Sequence, residues 1–76
     1  MTQQDLFKTL GREAQSWRKC RGLSQGDIAF RLNMSSANIS AFERGENDNC
    51  AILLMYMAMG FYPLECEEIW QILMSL

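Results

Sequence analysis

A chain of 76 residues at net charge −2 has room for one small domain with one core, and 49% hydrophobic residues argue against disorder. There is no histidine, which excludes His-based acid–base catalysis and His metal ligation. The three cysteines, Cys20, Cys50 and Cys66, are odd in number and widely spaced without a C-x-x-C, so neither a disulfide framework nor a zinc site is expected and they read as buried thiols in a reducing cytoplasm.

The polar start, Met1-Thr2-Gln3-Gln4-Asp5, is unlike a signal peptide. A first helix is expected over about 3–21. Thr2 and Asp5 have the spacing of a capping box, and Leu6, Leu10, Ala14 and Trp17 make an apolar stripe at intervals of four and three. Gly22 stands where a helix end takes a left-handed residue. A second helix is expected over 25–32, with Ser24 as N-cap, Asp27 three residues later, and Ile28, Ala29 and Leu32 facing inward. Asn33 follows as the stop, since asparagine tolerates left-handed geometry.

The third helix is expected over 36–43, opened by Ser35, with Met34 and Ile39 at the positions of a hydrophobic staple. Ile39 and Phe42 point inward, which leaves Ser36, Ala37, Ser40, Ala41 and Arg44 on the outer side, and Gly45 ends the helix. A fourth helix over about 50–60 and a fifth over about 64–75 complete the set, the fifth with Pro63 before it and Glu65, Glu67 and Glu68 at the positive end of its dipole. No strand alternation, repeat or linker interrupts the pattern, so residues 1–76 read as one compact all-α, five-helix domain.

Two serine-headed helices joined by a tight turn, over about 24–44, are the elements of a helix-turn-helix. Charge is divided along the chain. Residues 1–44 hold all seven basic residues and four acids, a balance of +3, while residues 45–76 hold five acids and no base, a balance of −5. A nucleic-acid face is therefore electrostatically possible on the first part. Ser24 and Ser35 read as caps and not as nucleophiles, and no catalytic residue or cofactor is expected. Trp17, Phe30, Phe42 and Trp70 read as core aromatics.

The run 51–59 is apolar on every face of a helix, yet its nine residues are too few to cross a membrane. Part of such a helix must remain uncovered in so small a domain. A partner surface is therefore expected over 50–75, with Ile52, Tyr56, Met59, Phe61, Trp70 and Leu73 as candidates.

Gly22-Leu23-Ser24-Gln25, then Ile28-Ala29 and Leu32, then Ser35, Ile39-Ser40 and Phe42-Glu43-Arg44-Gly45 carry a resemblance over residues 10–62. In order and spacing they resemble the phage-repressor family, the lambda-repressor-like or Xre-type helix-turn-helix proteins. The resemblance implies a cytoplasmic, homodimeric transcriptional regulator that binds a pseudo-palindromic operator in double-stranded DNA. It implies that Gln25 sits on a phosphate, that Ser36, Ala37 and Ala41 touch base edges with Ser40 close by, and that Asn38 and Arg44 meet the backbone. It also implies an ion pair between Arg18 and Glu43 that ties the first helix to the third. Ser24, Lys19 and Arg31 are further phosphate candidates. Asn33 replaces the turn glycine usual in the family, and the outer face carries serines and alanines where bidentate readers would give strong base discrimination. A second reading stays open, in which the fold is kept but docks on another regulatory protein as an antirepressor or modulator.

Overall fold

Helix starts are set by side chains that catch free backbone amides. Thr2 Oγ1 accepts from the Asp5 amide at 3.1 Å, and the Asp5 carboxylate accepts from the Thr2 amide at 3.3 Å. Ser24 and Asp27 repeat the exchange at 3.0 and 2.8 Å. Hydrogen bonds to Thr2 and Ser24 hold these two carboxyls below the ordinary aspartate value. Asn49 caps a later helix, its side chain accepting from the Ala51 amide at 2.9 Å.

These caps open three of the four helices of the computed structural model, which describes residues 2–62: α1 (Gln3–Cys20), α2 (Gln25–Leu32) and α4 (Cys50–Ala58), with α3 (Ser36–Glu43) between them. Among the described residues every element is helical and there is no strand. The fifth helix expected over 64–75, with Cys66, Trp70 and Leu73, lies outside the described residues. No helix among the described residues is long and apolar enough to cross a membrane.

The turn between α2 and α3 is made by Asn33, left-handed at φ 53°, and is closed by the Met34 amide donating to the Ala29 carbonyl at 3.0 Å. Ile39 lies in the core and Met34, half-buried, packs against that core. Ser35 has the extended backbone of an N-cap, but its side chain makes no capping hydrogen bond. The Asn38 amide is instead met by the Ser35 carbonyl at 3.1 Å.

The core joins all four helices through Leu6, Leu10, Ala14, Ile28, Ile39, Phe42, Ile52 and Tyr56, each at most 1% exposed. α3 packs on α1 and α2, and α2 on α4. Gly11, in the middle of α1, sets the α1–α3 approach: a Cβ there would lie 2.3 Å from the Phe42 carbonyl oxygen. At Gly45 the need for glycine is double, since φ is +75° and a Cβ would sit 2.5 Å from Lys8 Cα.

Four expectations are corrected here. Ile52, Tyr56 and Phe61 do not line a partner surface, because they are buried among the chain's own helices. Phe30 is not a core aromatic but 86% exposed, since the buried face of α2 is set by Ile28 and Ala29 and residue 30 falls about 200° around the helix from residue 28. Cys20 and Cys50 are exposed thiols, being the terminal residues of α1 and α4 where the core has ended. α4 stops at Ala58 and not at 60, before Gly60 at φ +116°.

Candidate nucleic-acid interface

The sequence of α3 divides its two sides sharply. Ile39 and Phe42 are fully buried and Glu43 nearly so, whereas Ser36, Ala37, Asn38 and Arg44 are exposed and Ser40 and Ala41 half-buried. The inner side therefore fixes the helix to the body and the outer side is left to solvent. All four residues expected at base edges lie on this accessible side.

What fixes α3 from behind is a buried carboxylate. Glu43 Oε2 accepts from Arg18 Nε at 2.7 Å, and Oε1 accepts from Arg18 Nη2 at 3.0 Å, a bidentate pair between α3 and α1. Arg18 Nη1 also donates to the Leu23 carbonyl at 2.7 Å, so the guanidinium ties down the loop before α2. Two further donors converge on Glu43. Gln25 Nε2, from the first residue of α2, donates to Oε1 at 3.1 Å, and the Tyr56 hydroxyl, from α4, donates to Oε2. The family resemblance implied the Arg18–Glu43 pair; the Gln25 and Tyr56 arms are additional to it. The signal available was a lone tyrosine within an otherwise apolar helix, whose hydroxyl needs a partner when buried.

Burial by itself would raise the Glu43 pKa, but the hydrogen bonds from Arg18, Tyr56 and Gln25 outweigh it and hold the carboxyl below its ordinary value. Burial, then the neighbouring Glu43 carboxylate, push the Tyr56 hydroxyl well above its ordinary value, so it remains a donor. A carboxylate with a lowered folded pKa stabilises the fold fully above its unfolded value, near ~4.3, and that contribution is lost as pH falls through the folded value. The chain is therefore expected to lose stability below about pH 4. Thermal melts across the acid range check this, with Glu43→Gln expected to show a shallower acid dependence than the unmutated chain.

The remaining candidates differ in how free they are. Lys19 and Arg31 are exposed. Arg44 is exposed too, but Nη2 pairs with Glu46 at 2.8 Å and Nη1 donates to Ser40 Oγ. An exposed pair of this kind is weak and screened by salt, so a phosphate can compete for Arg44. Ser24 Oγ is held as the cap of α2, and Asp27 places its own carboxylate at that helix end, which offsets the attraction of the α2 N-terminus for an anion. Gln25 sits beside it, half-buried, its carboxamide oriented by Glu43. The Asn38 side is joined to the following loop, where Asn47 Nδ2 donates to the Asn38 carbonyl at 3.4 Å. No family model, no curated protein and no solved structure matches the chain.

Proposed function

We propose that this chain is a DNA-binding transcriptional regulator of the phage-repressor type, acting as a homodimer on a pseudo-palindromic operator. One observation carries the reading: the outer side of α3, with Ser36, Ala37, Ser40 and Ala41, is accessible while the opposite side is clamped through Glu43. A helix held in this way can enter a major groove as a rigid body. The +3 balance of residues 1–44 supports the same reading, with Lys19, Arg31, Arg44, Asn38, Gln25 and Ser24 as the phosphate-side groups. With alanines and serines toward the bases, discrimination rests on thymine methyl contacts, hydroxyl hydrogen bonds and DNA shape.

Gel shifts at low salt with genomic fragments bordering the chain's own gene test the reading. Salt-sensitive retardation of a specific fragment is expected, and retardation of none at any salt counts against it. Gln25→Ala is expected to weaken binding about tenfold by loss of one oriented phosphate contact. Its bond to Glu43 adds a stability cost of about 1 kcal/mol, since Arg18 and Tyr56 still satisfy the carboxylate. Melting and anisotropy titration of the same variant separate the two effects.

A second reading, a modulator docking on another regulatory protein, is favoured by one observation: Phe30, Leu54 and Tyr62 are large apolar side chains at 86%, 63% and 60% exposure. A stable 1:1 complex with another regulator, formed with loss of DNA binding, would select this reading over the first.

A further inference from the structure

Four helices converge on one carboxylate, and its hydrogen-bonding capacity is filled. An ionised carboxylate offers about four lone-pair sites. Arg18 takes one on each oxygen through its fork, at 2.7 Å on Oε2 and 3.0 Å on Oε1. Each oxygen then has one site left. The Tyr56 hydroxyl occupies the one on Oε2, and Gln25 Nε2 occupies the one on Oε1 at 3.1 Å.

The Tyr56 ring has no freedom to swing away. Trp17 meets it edge-on with centroids 6.1 Å apart, Phe61 likewise at 6.1 Å, and Phe42 lies stacked at 5.9 Å and 19°. The hydroxyl is thus delivered to Glu43 from a fixed point on α4. Without it, Oε2 would keep an empty acceptor site in a buried place, and the Gln25 carboxamide, bonded to the neighbouring Oε1, is a donor that can turn to it.

We infer that the Tyr56 hydroxyl is a positioning group: by filling Glu43 Oε2 it leaves Oε1 as the single acceptor for Gln25, and so orients the Gln25 carboxamide at the start of α2. Through this route α4 takes part in setting the phosphate-side geometry of α2 and α3 without reaching the duplex. The consequence for duplex binding rests on the regulator reading above; the orientation of Gln25 does not.

Tyr56→Phe tests this, because it keeps the ring and removes the hydroxyl alone. In the full chain, the Gln25 side-chain amide signals are expected to shift, because the carboxamide is then shared between Oε1 and the vacated Oε2. The Glu43 carboxyl, followed by carbon NMR, is expected to titrate at higher pH, because one of the hydrogen bonds that lower it is gone. Duplex affinity is expected to fall about threefold to tenfold, and Gln25→Ala is expected to weaken binding less in the Tyr56→Phe background than alone. Unchanged Gln25 signals and an unchanged Glu43 midpoint would overturn the inference and leave Tyr56 as a core aromatic. Should the unmutated chain bind no duplex, the regulator reading fails while the Gln25 and Glu43 signals still decide the role of Tyr56. In the unmutated chain a slowly exchanging Tyr56 hydroxyl proton, with a cross-peak to the Arg18 Nε proton, is expected. Its absence would overturn the placement even if the variant did not fold.

Discussion

Glu43→Ala is expected to lower the free energy of unfolding by about 3–5 kcal/mol, the range found when one partner of a buried ion pair is removed. Glu43 has 1% of its side chain exposed and Arg18 8%, so water does not replace what is lost. The substitution strands the Arg18 guanidinium, the Gln25 carboxamide and the Tyr56 hydroxyl together. For a domain whose total stability is about 5–15 kcal/mol, this brings the fold close to its limit. Urea unfolding measures it, with a fall in Tm of more than about 12 °C as the thermal counterpart. Removing both charges by Arg18→Met with Glu43→Leu is expected to recover part of the loss, because the uncompensated charge is then gone. Recovery should stay incomplete, since Gln25 and Tyr56 remain unsatisfied. A loss under about 1 kcal/mol for Glu43→Ala would show that the carboxylate is an ordinary surface-type pair and does not hold α3 in place.

Gly11→Ala is expected to destabilise by about 1–3 kcal/mol or more, against the usual direction for glycine in a helix. Replacing an interior helical glycine by alanine ordinarily stabilises by about 0.5–1 kcal/mol. Here the added methyl would meet the Phe42 carbonyl oxygen at 2.3 Å, the Glu43 carbonyl oxygen at 2.8 Å and the Glu43 carbonyl carbon at 2.9 Å. These are backbone atoms of the last turn of α3, which cannot turn aside as a side-chain tip can. α1 and α3 must separate, and the Arg18–Glu43 bond crosses the same pair of helices. Gly26→Ala provides the control. Near the start of α2 a methyl would find nothing closer than Ser24 Oγ at 3.5 Å, an ordinary contact. That variant is expected to be neutral or more stable by up to about 1 kcal/mol. Equal melting temperatures for the two variants would contradict the close α1–α3 approach.

The local punctuation of the fold was legible because it obeys short-range rules. Thr2 with Asp5, Ser24 with Asp27, the left-handed Asn33 and Gly22, and the positive φ of Gly45 each act within a few residues of chain, whereas the close approach of Lys8 to Gly45 does not. The inner face of α3 followed from Ile39 and Phe42. Ser35 had the right type and position for a cap yet makes no such bond, because the choice between side-chain and backbone acceptors depends on the geometry of the whole turn. Gly11 was opaque: a glycine within a helix says nothing about which backbone approaches it. The burial of Tyr56 and Ile52 is not legible in the sequence, because a helix apolar on every face has no periodicity to mark its buried side. The exposure of Phe30 is legible in the sequence, since it lies off the stripe of Ile28, Ala29 and Leu32. Of the junction at Glu43 that joins residues 18, 25, 43 and 56, the family resemblance implied the Arg18 arm alone; the Gln25 and Tyr56 arms are pairings at separations that leave no pattern in a single sequence.

The measurement that bears most directly on the role of α3 is amide mapping by NMR. The labelled chain is titrated at low salt with a duplex recovered by selection from a random pool. The largest changes are expected at Gln25, Ser36, Ala37, Asn38, Ser40 and Ala41, with Leu54 and Tyr62 unmoved. Changes confined to Leu54 and Tyr62, or no change with any duplex, would contradict the assignment of α3 as the helix that meets DNA.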